Sequence, residues 1–254
     1  MTAHERLSVH NVTFYGDTVE TLQQHWADLG VTRLSILDDQ LPEISKSLQH
    51  NDYTIDAVYH LFAGAAGLTK VIDAAAGAGA RTVYMLTGGR GSLSWKQAAQ
   101  RFCDMVAPCV EHARRTGVTL AIENASSLYA DLHFAHTLRD TVTLAEMSGL
   151  DICVDVFHCW AEGDVEEVLQ RALPRTRLIQ LSDYVLGDRS LPGRAVPGDG
   201  AIPIESLVAQ ALSGGYLHGF DLELIGPRIE AEGRLESARR ACDVVGAMLD
   251  KLGA

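Results

Sequence analysis

Short apolar runs alternate with amphipathic stretches from one end of the chain to the other. The runs are 6–14, 31–38, 54–62, 81–87, 118–124, 150–157, 176–183 and 218–225. Each is rich in Val, Ile, Leu or aromatic residues, as parallel strands covered on both faces should be. The stretches between them read as helices over 18–29, 41–51, 66–79, 94–116, 136–148, 165–174, 203–213 and 233–252. The first ends before Gly30 and the fourth starts at Ser94 and stops at Gly117, while Pro108 should kink its middle.

Eight strands and eight helices in strict order predict a (β/α)8 TIM barrel, an α/β fold built as a single domain over 1–254. An open doubly wound sheet would need a glycine-rich nucleotide loop after its first strand, and SVHNVTFYGDTVE contains none. The LTGGRGS stretch at 86–92 fits neither GxGxxG nor a phosphate-binding loop, and reads as a flexible connection. One long loop, 184–201, follows the seventh strand, on the face where barrel enzymes carry their chemistry.

Four strands of the second half end in an oxygen-bearing side chain: Glu123 in TLAIEN, Asp155 in DICVDVFH, Gln180 in RLIQLSD and Glu223 in FDLELIG. Alternation places Ala121 with Glu123, Gln180 with Ser182, and Asp221 with Glu223 on the inner face, opposite aliphatic neighbours. In a closed barrel these ends converge on one mouth. Three carboxylates and an amide around one point repel unless a cation holds them, so they predict one divalent metal ion bound by Glu123, Asp155, Gln180 and Glu223. All-oxygen donors favour Mn²⁺ or Mg²⁺, with Co²⁺ as a further candidate, over zinc. Such a site can polarise a carbonyl or stabilise an enediolate, with Glu123 and Glu223 taking and returning a proton beside the carbonyl.

His60 at the end of AVYHLF and Asn11 after the first strand are candidates to reach a substrate, and Trp160 to wall the pocket. Asp183 reads as a structural partner. His133 and His136 in DLHFAHT have ligand-like spacing but read as surface residues.

The bulk properties narrow the partners. A chain of 254 residues, 47% hydrophobic, has enough apolar material for one large core. A net charge of −12 with scattered basic residues disfavours nucleic acid. No apolar run is long enough for a membrane span, and the first residues lack the pattern of a signal peptide, so a cytoplasmic location is expected. Five cysteines without a CxxC argue against a disulfide framework or a thiolate zinc site. A homo-oligomer stays open. The expected partner is a small carbonyl or polyhydroxy compound.

The pieces IEN at 122–124, VDVFH at 154–158, QLSD at 180–183, RAVPGDG at 194–200 and LELIGPR at 222–228 resemble the xylose-isomerase-like TIM barrels. That superfamily includes sugar-phosphate isomerases and epimerases, hydroxypyruvate isomerase, inosose dehydratase and the endonuclease IV relatives. The resemblance implies the same metal set, a His158 beside the substrate as a catalytic residue, and an Arg194 that grips a substrate oxygen or carboxylate. It implies a metal-dependent isomerase or epimerase acting on a sugar, ketose or polyol derivative. Position 180 departs from the pattern, since His is usual there. Gln is similar to some 3-dehydroshikimate dehydratases, which makes a water-eliminating lyase the alternative. An endonuclease IV-like enzyme would need more His ligands and a basic groove. A non-catalytic barrel would not be expected to keep Glu123 and Glu223.

Overall fold

The computed structural model describes residues 2–48 and 53–254. Eight parallel strands pair in sequence order and close on themselves: β1 (Leu7–His10), β2 (Arg33–Leu37), β3 (Thr54–Leu61), β4 (Thr82–Leu86), β5 (Thr119–Glu123), β6 (Asp151–Asp155), β7 (Thr176–Leu181) and β8 (Phe220–Leu222). β1 pairs with β8, so the sheet has no free edge. The helices are α1 (Val19–Leu29), α2 (Leu41–Ser47), α3 (Ala65–Gly77), α4 (Trp95–Thr116), α5 (Leu138–Ser148), α6 (Val156–Cys159), α7 (Val165–Ala172), α8 (Ile204–Ser213), α9 (Pro227–Glu232) and α10 (Arg234–Leu252). This is the (β/α)8 barrel the alternation predicts.

The differences from the sequence reading are local. Residues 49–51 of the helix expected over 41–51 lie outside the described residues. Two short helices are added. α6 starts directly at the end of β6, with Asp155 as its cap, and α9 precedes α10. α4 runs through Pro108, its start fixed by reciprocal Ser94 and Gln97 hydrogen bonds and its end by Gly117 in the left-handed conformation. β1 ends at His10, and residues Asn11–Phe14 form a 3-10 turn. No helix among the described residues is long and apolar enough to cross a membrane.

Strand alternation divides the apolar residues into two layers. Ala57, Tyr84, Ala121, Cys153 and Leu178, with Tyr59 against them, fill the barrel interior. Their strand neighbours Val58, Val83, Ile122, Val154 and Ile179 belong to the larger core between sheet and helices. Full burial of such a side chain contributes about 1.5–3 kcal/mol. The interior therefore closes the barrel from below and leaves the carboxyl ends of the strands for polar groups. Those ends are in register: Glu123 lies opposite Cys153, Asp155 opposite Gln180, and Gln180 opposite Asp221.

Candidate active site

The mouth of the barrel holds a cavity of ≈ 250 Å³. Its polar wall is made by His10, Tyr59, Tyr84, Glu123, Tyr129, His158, Arg194 and Glu223, and its apolar wall includes Val12, Leu37, Leu86, Leu132 and Ile225. Asp155 lies fully buried beside it. The side-chain amide of Asn124 donates to the Asp155 carbonyl at 2.9 Å, and the Asp155 backbone N–H donates to the same amide at 2.9 Å. This clamp across β5 and β6 explains the Asn of the IEN sequence. The Asp155 carboxylate also accepts from the Phe157 N–H at 2.9 Å, which caps α6.

Arg194, from the loop after β7, enters the acidic cluster. Its Nη2 lies 2.6 Å from Asp155 Oδ2 and 2.9 Å from Glu223 Oε1, and its Nη1 donates to Ser182 Oγ at 2.9 Å. The guanidinium stacks over Phe157, 4.7 Å from the ring centre. The sequence reading has Arg194 gripping the substrate. In the structure its bonds go to two carboxylates, while part of the side chain still lines the cavity.

One guanidinium does not balance three acids, of which Glu123 and Asp155 are buried and Glu223 half-buried. Burial raises the Glu223 carboxyl to about 7 despite the opposing charge of Arg194. Burial, together with the charges of Glu223 and Asp155, holds Glu123 well above the carboxylate range. The Glu123 carboxylate makes no hydrogen bond or ion pair with any described residue. Burial also works against Asp155, but Arg194, His158 and the hydrogen bonds from Arg194 and Phe157 outweigh it and keep this carboxyl low. Burial pushes His158 down to about 4, so its ring is neutral. Its Nδ1 is buried without a partner.

This arrangement fits a divalent cation. Glu123, Asp155 and His158 offer ligand atoms that all lie within 4.8 Å of one another. The surplus negative charge and the unpaired Glu123 are what a cation would resolve. His158, expected beside the substrate, is thus one of the convergent donors. Gln180 sits beneath them. Its Nε2 donates to Tyr84 Oη at 3.2 Å and to Glu223, and its Oε1 accepts from Cys153 Sγ at 3.2 Å. In this orientation the amide nitrogen faces Glu223, so a half-turn of the amide is needed before its oxygen can serve as a ligand.

Three expected substrate contacts lie outside this cavity. Asn11 is turned away: its Nδ2 donates to Gln40 Oε1 at 3.1 Å and its Oδ1 accepts from Trp26 Nε1 at 3.1 Å, which ties the first turn to α1. His60 shares a face with Val58, outside the barrel, and its Nδ1 lies 2.5 Å from Asp38 Oδ2. Trp160 is absent from this cavity and lines a neighbouring cleft. The residues next to the first two take their places. Val12 N–H donates to His10 Nδ1 at 2.9 Å, so the neutral ring carries its proton on Nε2, which has no partner. The Tyr59 hydroxyl has no hydrogen-bond partner among the described residues.

The loop that carries Arg194 is anchored by Asp183, as a structural partner should be. The Asp183 carboxylate accepts from the backbone N–H groups of Tyr184, Gly198, Gly200 and Ile202 at 2.8–3.0 Å. Its backbone pairs in both directions with Ala195, next to Arg194. Gly200 presses on this anchor, since a Cβ there would collide with the Asp183 carboxylate. The DLHFAHT histidines, expected on the surface, are not: His133 is fully buried and His136 half-buried.

Residues 5–245 match the family described as xylose isomerase-like TIM barrel. No protein of curated function matches the sequence. Solved structures share the fold at low identity. The IOLI protein with a bound zinc atom is 16% identical, with 97% of this chain and 99% of that one covered at a TM-score of 0.83. An L-ribulose 3-epimerase is 15% identical over 100% and 96%, at 0.78. A probable 3-DHS dehydratase involved in petrobactin synthesis from Bacillus anthracis is 13% identical over 94% and 98%, at 0.75.

Proposed function

The chain belongs to the xylose isomerase-like TIM barrel family, and from that premise we propose that it is a divalent-metal-dependent isomerase or epimerase of a hydroxy-carbonyl compound such as a ketose. The observation that carries this reading is the pair Glu123 and Glu223. Two carboxyls with raised proton affinity, Glu123 buried and Glu223 half-buried, line one cavity, beside a third acid held ionised. Raised carboxyls near neutrality are suited to accept and return a proton beside a carbonyl.

Glu123, Asp155, His158 and Glu223 would hold the cation, with Gln180 joining after its amide turns. When bound, the metal supplies Lewis-acid polarisation of the substrate oxygens. The chain's own residues do the rest. One of the two glutamates takes the proton from the carbon next to the carbonyl and the other delivers one. His10 Nε2–H and the Tyr59 hydroxyl are free to donate to substrate oxygens. Arg194 tethers Asp155 and Glu223, and the apolar wall of Leu37, Leu86, Leu132 and Ile225 limits water around the carbanion.

A water-eliminating lyase is the second reading, favoured by Gln180. Among the described residues Arg194 is the one Arg or Lys on the cavity wall, and it is already bonded to two carboxylates. A carboxylate-bearing substrate would have to draw it away, which supports the isomerase reading instead. Incubation of the Mn²⁺-loaded protein with ketoses in deuterated water tests the choice. Deuterium in recovered substrate or epimer, without loss of water, is expected. A conjugated, ultraviolet-absorbing product from 3-dehydroshikimate would transfer the assignment to the lyase. Absence of both would defeat both.

A further inference from the structure

We infer that the substrate is a two-unit molecule, whose hydroxy-carbonyl ring fills the inner cavity while a second ring with an apolar face lies in an aromatic cleft at the rim. The inference rests on the function proposed above, since it takes the inner cavity as the reaction chamber.

The cleft has a volume of ≈ 340 Å³ and adjoins the chamber directly, because Tyr129 and His158 line both. The chamber is bounded at ≈ 250 Å³, so a second unit joined to the reacting one would have to pass Tyr129 and His158 and lie in the cleft. The floor of the cleft is Phe157, Trp160 and Tyr184, all half-buried and packed against the core. The Trp160 and Tyr184 rings lie 6.3 Å apart and only 36° from parallel, which forms a shallow platform. Leu128 and Leu191 rise at its edges, 68% and 51% exposed. Together with the aromatic floor they give the cleft a largely apolar lining. An aromatic platform recognises a ring by its apolar face, whether pyranose or aryl. Arg189 lines the same cleft and donates to Tyr184 Oη at 3.3 Å, so the polar groups stand at its border.

Calorimetric titration of the Mn²⁺-loaded full chain with methyl β-D-glucopyranoside, cellobiose and phenyl β-D-glucopyranoside tests the inference. At least one two-ring probe should bind ten-fold or more tightly than the one-ring probe. A preference for cellobiose identifies the second ring as a sugar, and a preference for the phenyl glucoside identifies it as aryl. Trp160→Ala should erase the margin and leave one-ring binding within about two-fold. Should that variant fail to fold, the double variant Leu128→Ala, Leu191→Ala, at exposed positions, should narrow the margin. Equal affinity for all three probes, no binding of any, or a margin untouched by the variants would overturn the inference. Solvent deuterium uptake is read separately, on ketoses, because the glucosides carry no carbonyl; a two-ring preference without exchange there would strike the proposed reaction and leave the cleft standing.

Discussion

Arg194 Nη2 lies 2.6 Å from Asp155 Oδ2, deep in the mouth of the barrel. Among the described residues the guanidinium is the one cation of Arg or Lys type against three acids, and it reaches them from a loop rather than from a strand. Replacing it by Met leaves Asp155 and Glu223 buried without it. Arg194→Met should lose about 3–5 kcal/mol of stability in urea unfolding without added metal. Saturating Mn²⁺ should recover part of that loss. An unchanged midpoint would mean that the pair contributes nothing to holding the loop.

Metal should stabilise the protein itself. A ligand at a hundredfold excess over its Kd contributes about 2.7 kcal/mol, which for a domain of this size raises Tm by roughly 5–10 °C. Mn²⁺ added to chelator-treated protein should give such a rise. Asp155→Asn, which removes the acid held ionised, should abolish it. The readout is thermal unfolding and is independent of any substrate.

Glu123→Gln and Glu223→Gln should separate stability from turnover. Both carboxyls have folded pKa values above their ordinary ones, so ionisation costs folding free energy above pH 4.5, and increasingly so up to the folded pKa. A neutral amide removes that cost. Metal-free thermal unfolding at pH 8 should therefore show each variant as stable as the parent or more so. Proton exchange should fall by about 10²–10⁴-fold. Activity near that of the parent in both variants would end the proton-transfer assignment.

The fold was legible because its signal is distributed. Eight short apolar runs set eight strands, and a misplaced boundary at β8 or β1 changes nothing in the closure of the barrel. The acids were legible for a related reason: alternation puts Glu123 inside with Ala121. The same parity in β3 groups Tyr59 with Ala57 and sends His60 outward with Val58, so the sequence contained the signal for Tyr59. It was obscured because a strand tyrosine looks like packing and a strand-end histidine looks like chemistry. The bonds between Arg194 and the acids were not legible, because the course of an 18-residue loop depends on Asp183 and four backbone N–H groups. Nor was the burial of His133, which depends on Thr87, 46 residues away.

Asp183→Ala should release that loop. Four N–H acceptances are lost together, at about 0.5–1.5 kcal/mol each and more where the donors stay buried. Limited proteolysis should then cut within 184–201, and the apparent KM should rise as Arg194 loses its register. A cleavage pattern identical to that of the parent would show that the loop is held by other contacts.

His133 should make the protein acid-sensitive. Burial lowers its pKa to about 3 from an ordinary 6.5, and Thr87 N–H donates to its Nδ1 at 3.1 Å. The unfolded chain therefore takes up a proton that the folded chain refuses. Stability present above pH 6.5 is lost as the pH falls from 6.5 toward 3. Between pH 7.5 and 5 the share of His133 is about 2 kcal/mol. Urea midpoints for His133→Gln should fall less steeply over that interval. Parallel slopes would assign the acid lability to other groups.

The end of β7 and the two residues after it concentrate four duties in successive positions. Gln180 underlies Glu223, Leu181 packs outward, Ser182 receives Arg194, and Asp183 moors the loop. Loop exchange, the usual route by which barrels acquire new specificities, is therefore constrained here. A foreign segment spliced after Ser182 would sever the mooring and strand the acids without their guanidinium, so diversification of this scaffold is freer along the β5 and β6 connections that shape the outer cleft.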